Sequence, residues 1–533
     1  MDLWRGAPTL AAMTRTALLL LPLLAFVFPT LRAAEPPPNV IVILADDLGY
    51  GDLGCYGSTT IATPRLDRMA REGLRFTAAY AAAPFCSPAR AGLLTGRLPA
   101  RAGLPYVLFP TEHHGLPAAE ITLAELLRAR GYTTACIGKW HLGWDAPFRP
   151  MTQGFDRFHG LPHTNDVREW KVGDAFTQLS MFAPLARVEG ERVVESPVDQ
   201  AELTRHYTEE AVAFIRANRE KPFFLYLPHT MPHVPQYASP RFAGKSRGGL
   251  YGDTVEELDW STGVILDTLR DLKLDARTLV IFTNDNGAPF RGGANAAKKA
   301  GAAKENFPGR QLAGSNGPLR SGKGTTFEGG VRVPFIAWWP GRIAPRAAVT
   351  APVSHLDLFP TLARLAGAVL PTGVTLDGTD ISSLLLEGAS PPSRALYHYF
   401  GYQPQAVRDG KWKLFLPTEN RPDPRPLSLW WDHLPAAFNH QHRLLAAPSS
   451  TISRPTSLKK PTSPPRTRRS SRASPARLAT STPPSGATNA RCNLWPDHLR
   501  PPPAPCATPT PTCRVTAPHL DPVGPSRLIM TSR

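Results

Sequence analysis

Between Asn39 and Gly367, short unbroken apolar runs alternate with longer stretches whose apolar residues recur every three or four positions. The run "NVIVILA" predicts a strand buried on both faces that leads into a loop carrying "DDLGYGD". "TPRLDRMAREGLRF" predicts a helix with Thr63 as N-cap, Pro64 in its first turn and Leu66, Met69 and Leu74 at helical spacing. "TLAELLRARGYTTACIGKW" predicts a helix closed by Gly131 and a strand from Tyr132 to Ile137. "LTRHYTEEAVAFIRANREKPFFLYLPH" and "GDTVEELDWSTGVILDTLRDLKLDARTLVIFTNDNG" repeat the helix-then-strand order. "PFIAWWP" predicts another strand, and "SHLDLFPTLARLAG" a helix. This alternation predicts an α/β fold with a parallel sheet covered on both faces. Sites in such sheets gather at the carboxyl edge, and "ADD", "GKWH", "PHTMPH" and "NDNG" all follow strand runs.

Beyond these elements the pattern changes. Arg291–Leu319 is rich in Gly, Ala and Asn and predicts a long loop, and "ALYHYFGYQPQAVRDGKWKLFLP" predicts two short antiparallel strands around an Asp409-Gly410 turn. After Pro417 periodicity stops: from Pro417 to Arg533 there are 23 Pro among 117 residues, with Ser, Thr and Arg filling in. That composition predicts a disordered tail, and it also resembles a GC-rich gene read out of frame.

Charge and cysteines narrow the partners. The chain of 533 residues carries a formal +17, but residues 451–533 alone hold 13 Lys and Arg against 2 Asp and Glu. The basic balance is therefore mostly a property of the tail and does not make the folded part a nucleic-acid binder. "MTRTALLLLPLLAFVFPTLRAA" has Arg15, an apolar run from Ala17 to Phe28 and small residues at Ala33-Ala34. It predicts a signal peptide and an exported protein; its apolar run is short for a membrane span, and an N-terminal anchor is the competing reading. Three of six cysteines lie in the tail, and Cys55, Cys86 and Cys136 are too scattered for a disulfide framework or a CxxC zinc site.

The strand-end residues suggest metal and anion chemistry. Asp46, Asp47, Asp285 and Asn286 offer hard oxygen donors, which suit Ca2+ or Mg2+ better than zinc, although Asp-Asp-Leu-Gly and Asn-Asp-Asn-Gly are also turn sequences. Arg90, Lys139 and Lys323, with His141 and one of His229 or His233, could surround a compact tetrahedral anion. In "GKWHLG" Lys139 and His141 share one side and Trp140 faces the other.

"CSPAR" followed by "AGLLTGR" resembles the signature of the type I, formylglycine-dependent sulfatases. "ADDLGYGDLGCYG", "GYTTACIGKWHLG", "FTNDNG" and "GKGTTFEGGVRVP" are similar to blocks of the arylsulfatase A and N-acetylgalactosamine-6-sulfatase group, from Asn39 to about Pro417. The resemblance implies an alkaline-phosphatase-like α/β domain with a smaller C-terminal antiparallel sheet. It also implies that Cys86 is oxidised to Cα-formylglycine by a formylglycine-generating or sulfatase-maturing enzyme that reads Cys86, Pro88 and Arg90. One hydroxyl of the hydrated aldehyde would attack sulfur, and the second would expel sulfate. Asp46, Asp47, Asp285, Asn286 and the modified Cys86 would bind Ca2+. Arg90 would hold the formylglycine hydroxyl, Lys139 would bridge it to the sulfate, and His141 would take a proton in the release step. His233, matched through "PHVPQ", and Lys323 would bind sulfate and protonate the leaving alcohol, with Thr164 of "GLPHTND" beside the sulfate.

The domains expected are a signal peptide (1–34), a catalytic domain (35–390), the start of a small domain (391–417) and the tail (418–533). The small domain is expected to be incomplete, because relatives continue past "GKWKL" where this chain enters its tail. The substrate implied is an aryl sulfate or a sulfated carbohydrate, and "GSNGP" with "PFIAWWPG" resembles the galactosamine-sulfatase side. The location implied is periplasmic or secreted, or lysosomal in a eukaryote. Two alternatives remain: a phosphate or phosphonate ester hydrolase of the same superfamily, and an inactive sulfated-glycan binder or truncated product.

Overall fold

The computed structural model describes residues 36–110, 112–166, 184–289 and 314–416. The expected signal peptide, the tail and residues 291–313 of the expected long loop lie outside them. In chain order the larger part contains β1 (Asn39–Ala45), α1 (Pro64–Glu72), β2 (Leu74–Tyr80), α2 (Cys86–Thr95), α3 (Leu123–Arg128), β3 (Thr133–Lys139), β4 (Arg157–Leu161), β5 (Arg187–Glu189) and β6 (Arg192–Glu195). It continues with α4 (Leu203–Ala217), β7 (Phe223–Pro228), α5 (Gly249–Asp271), β8 (Thr278–Asn284), α6 (Glu328–Val331), β9 (Arg332–Trp338), β10 (Arg346–Val349), β11 (Val353–Ser354), α7 (Leu358–Ala366) and α8 (Ser382–Leu386). The strands form one sheet in the order β10-β2-β9-β8-β1-β7-β3-β4-β5-β6, with β11 paired to β2.

The alternating side chains of β1 divide the interior. Val40, Val42 and Leu44 pack with α2, α3 and α7 through Leu93, Leu123 and Leu362. Ile41, Ile43 and Ala45 pack on the opposite face with α1, α4 and α5 through Met69, Phe214 and Val255. Both faces of β1 are therefore apolar, as a central parallel strand requires.

Some boundaries differ from the pattern-based reading. Leu74 belongs to β2 and not to α1, which stops at Glu72 before Gly73. Thr63 occupies the N-cap position, but its hydroxyl accepts from the Gly54 N–H and donates to Asp67. β3 runs on to Lys139, and α2 begins at Cys86 itself. The sheet is mixed: β9 lies antiparallel between β2 and β8, and at the far edge β5 lies antiparallel between β4 and β6. The chain reaches β9 from the carboxyl edge of the sheet, directly after the segment bearing Lys323, and so must run back against its neighbours.

The second sheet has three strands, not two: β12 (Leu396–Phe400), β13 (Gln403–Asp409) and β14 (Trp412–Phe415). β13 and β14 turn at Asp409-Gly410, with Gly410 at φ 51°. The sheet packs on the larger part through Phe400 against Phe85 and Phe415 against Phe327. Lys413, 2% exposed, pairs with Glu328 at 2.9 Å.

One close approach sets the spacing of strands at the site. Gly138 (φ 131°) pairs in register with Gly160, and a Cβ on Gly138 would stand 2.0 Å from the Pro228 carbonyl oxygen. Gly138→Ala should therefore cost about 3 kcal/mol or more, from steric overlap and a disfavoured φ. An unchanged thermal unfolding midpoint would contradict this packing.

Candidate active site

The ends of β1, β3 and β8 and the first turn of α2 bring seven of the eleven expected residues into one buried cluster, which Lys323 and His233 join from the segments before α6 and after β7. β1 delivers Asp46 and Asp47, β8 delivers Asp285 and Asn286, and β3 ends on Lys139. Cys86, 2% exposed, is the first residue of α2, and Arg90 lies one turn on. Asn284 fastens the two acidic loops: its Oδ1 accepts from Leu48 N–H at 3.0 Å and its Nδ2 donates to Leu48 O at 2.7 Å.

Arg90 is fully buried. It donates to Asp285 Oδ2 from Nε and Nη2 at 3.1 and 2.8 Å and to the Lys139 carbonyl at 2.8 Å, and its Nη2 lies 3.2 Å from Asp46. Lys139 Nζ pairs with Asp46, and Lys323 Nζ sits 2.8 Å from Asp47 Oδ1. The Cys86 thiol lies between these charges, 3.5 Å from Asp46 Oδ1 and 3.4 Å from Lys323 Nζ. Burial and Asp46 both push the thiol pKa well up, so residue 86 as a cysteine stays protonated and is a poor nucleophile.

The cations stay charged. Burial opposes the charge on Lys139 and Lys323, but the anionic surroundings together outweigh it, led by Asp46 for Lys139 and by Asp47 for Lys323, and raise both pKa values. Asp46 is also buried, yet Lys139, His233, Arg90 and Lys323 hold it far below the usual carboxylate range. Asp285 is pushed up to about 7 by burial and by Asp46, despite Arg90.

The cluster fits a hard cation. Asn286 donates from Nδ2 to Asp47 Oδ1 at 2.7 Å, but its own Oδ1 is buried without a hydrogen-bond partner. A buried amide oxygen beside crowded carboxylates is a cost that a divalent ion would relieve. Donor atoms of Asp46, Asp47, Cys86 and His233 lie within 4.8 Å of one another.

Two histidines are set differently. His141 holds a left-handed backbone (φ 58°), and its Nε2 donates to the Leu108 carbonyl at 2.9 Å. That leaves Nδ1 as the lone-pair nitrogen, buried and unpartnered. Burial and Lys139 keep the ring neutral. His233 directs Nε2 to within 3.7 Å of Asp47. His229 sits elsewhere, with Nε2 3.3 Å from Ser261 Oγ and its ring near Tyr207, so His233 is the one at the cluster. Trp140 faces the apolar core and packs edge-on to Phe155.

Thr164 makes no hydrogen bond to the cluster, and its hydroxyl oxygen is buried without a partner. Its neighbour Asn165 does reach the site, accepting at Oδ1 from His233 Nδ1 at 3.0 Å, and Gln200 contacts Asn165 in turn. Neither residue stands out in the sequence. Asn165 follows a strand run in "HTND", a weak signal, whereas Gln200 lies in a short turn that carries none.

Three carboxylates, three fixed cations and an unsatisfied oxygen donor around one residue suit a divalent ion and a compact oxyanion. Residues 38–368 match the family model described as sulfatase. The chain is 42% identical over 406 residues to arylsulfatase A of Homo sapiens, covering 73% of this chain and 76% of that protein. It is 40% identical over 462 residues to steryl-sulfatase of Mus musculus, covering 73% and 72%. Among solved structures it resembles the PsFucS1 sulfatase from Pseudoalteromonas sp., with a TM-score of 0.63, 30% identity and coverage of 79% of this chain and 84% of that one. The chain belongs to the sulfatase family. It is a sulfuric ester hydrolase, and its fold is the alkaline-phosphatase-like α/β architecture with a small antiparallel sheet. Among the described residues no helix is long and apolar enough to cross a membrane.

Removing the central cation should expose its cost. Arg90→Met leaves Asp46 and Asp285 buried without their guanidinium and should lower stability by about 3–5 kcal/mol. Urea unfolding at pH 7 in chelator measures this, and a loss below about 1 kcal/mol would show the pairing to be dispensable.

Proposed function

We propose that residue 86 acts as Cα-formylglycine, that Ca2+ binds beside it, and that the substrate is the sulfate ester of an aryl alcohol or a sugar. The observation that carries this reading is the convergence on Cys86 of Asp46 on one side and Lys323 on the other, with Arg90 one turn along the same helix. Once residue 86 is formylglycine, Asp46, Asp47, Asp285, Asn286 and residue 86 would all hold the cation through hard oxygens. Without it, the three carboxylates offset Arg90, Lys139 and Lys323. A bound divalent ion leaves the site net positive and able to receive a sulfate monoanion.

When formed, the formylglycine hydrate supplies one hydroxyl to attack sulfur and a second to release the sulfate. Arg90, held by Asp46 and Asp285, orients the side chain of residue 86. Lys139 spans that side chain and the sulfate. His141 accepts a proton at Nδ1, its free nitrogen, during release. His233 and Lys323 protonate the leaving oxygen, and the unpartnered Thr164 hydroxyl contacts sulfate.

A basic, apolar and small-residue N-terminus supports export to a periplasmic, secreted or lysosomal location, with removal of 1–34. Residues 35–390 would form the catalytic domain and 391–417 the start of the small one. The Cys-Ser-Pro-Ala-Arg sequence supports a maturing enzyme as a transient partner.

Protein from the native host should cleave a chromogenic aryl sulfate far faster than the matching phosphate, and Cys86→Ala and Cys86→Ser should abolish turnover in folded protein. Mass spectrometry of the tryptic peptide bearing residue 86 should show an aldehyde. An intact thiol in fully active protein would overturn the reading. Chelation should lower both activity and the unfolding midpoint, and Ca2+ should restore them; indifference to chelator would remove the metal from the proposal.

A further inference from the structure

The hydrogen bonds behind His233 allow one assignment of donors and acceptors. Its Nδ1 faces two oxygens, Asn165 Oδ1 at 3.0 Å and the Val234 carbonyl at 2.6 Å. A carbonyl can only accept, so Nδ1 must carry the proton. The orientation of the Asn165 amide is fixed as well. Its Nδ2 donates to the Pro235 carbonyl at 3.0 Å and to Gln200 Oε1 at 3.1 Å, and Gln200 Nε2 donates to the Asn165 carbonyl at 3.2 Å. Turning either amide over would set oxygen against a main-chain oxygen. Asn165 is fully buried and Gln200 9% exposed, so water offers little relief.

We infer that Asn165, braced by Gln200, is a positioning residue that, together with the Val234 carbonyl, pins a proton on Nδ1 of His233, so that the nitrogen exchanging protons with substrate is Nε2. Nε2 is the atom directed into the cluster, 3.7 Å from Asp47. The inference rests on the proposed role of His233 in protonating the leaving oxygen. It adds that this role depends on a ring tautomer and orientation to which Asn165, outside the reacting groups, contributes beside the Val234 carbonyl.

The test is a double-mutant cycle read with two substrates. For an unactivated alkyl or sugar sulfate, Asn165→Leu should lower kcat/KM by about 10–100-fold. For a nitrophenyl sulfate, whose leaving group needs no proton, the loss should be several-fold smaller. His233→Ala should cost at least as much with the same substrate preference, and adding Asn165→Leu to it should cost nothing further. Gln200→Leu should give a smaller loss of the same kind, likewise absent in the His233→Ala background, and serves as the readout should Asn165→Leu fail to fold. Losses that multiply, or that fall equally on both substrates, would overturn the inference while leaving His233 in place. An active His233→Ala would instead overturn the role of His233 itself.

Discussion

The structure turns on how one guanidinium is satisfied. Arg90 enters from α2 and spends its donors on Asp285 after β8, on the main chain of Lys139 at the end of β3, and on Asp46 after β1. Each of these groups would be costly to bury alone. Together they tie three strand ends to the helix whose first residue is Cys86. The position of residue 86 therefore follows from the charge network, and the charge network exists only where those strands end side by side.

Much of this was legible in the chain. Buried parallel strands announce themselves as apolar runs, and polar residues placed at their ends can reach one another only at the carboxyl edge. Asp46, Asp47, Lys139, Asp285 and Asn286 were readable for that reason. The choice between His229 and His233 came from resemblance, because four residues in a non-helical segment say nothing about direction. The reversed strand β9 was hidden because an apolar run carries no sign of its direction. Leu74 was misplaced because it continues the helical spacing past Gly73, where the backbone has already left the helix. Asn165 and Gln200 were invisible for a deeper reason: a neutral amide acquires a role only from what it faces, and its partners lie 68 and 35 residues away from Asn165 along the chain.

The small sheet is more than an appendage to this edge. Phe400 packs on Phe85, the residue before Cys86, while Lys413 and Arg332 both reach Glu328 near β9. The second sheet thus braces the approach to α2 from outside, and its burial of Phe85 shares in fixing where the helix starts.

The near-complete enclosure of Cys86 also has a temporal side. A side chain 2% exposed, at the meeting of a helix and three strand ends, offers no approach to another macromolecule once the sheet has closed. Any enzyme that rewrites this side chain must meet the chain while it is still unfolded. If residue 86 is converted as proposed, each molecule's competence would be decided once, in a race between folding and modification, and a molecule that folded first would keep its thiol until it unfolded again.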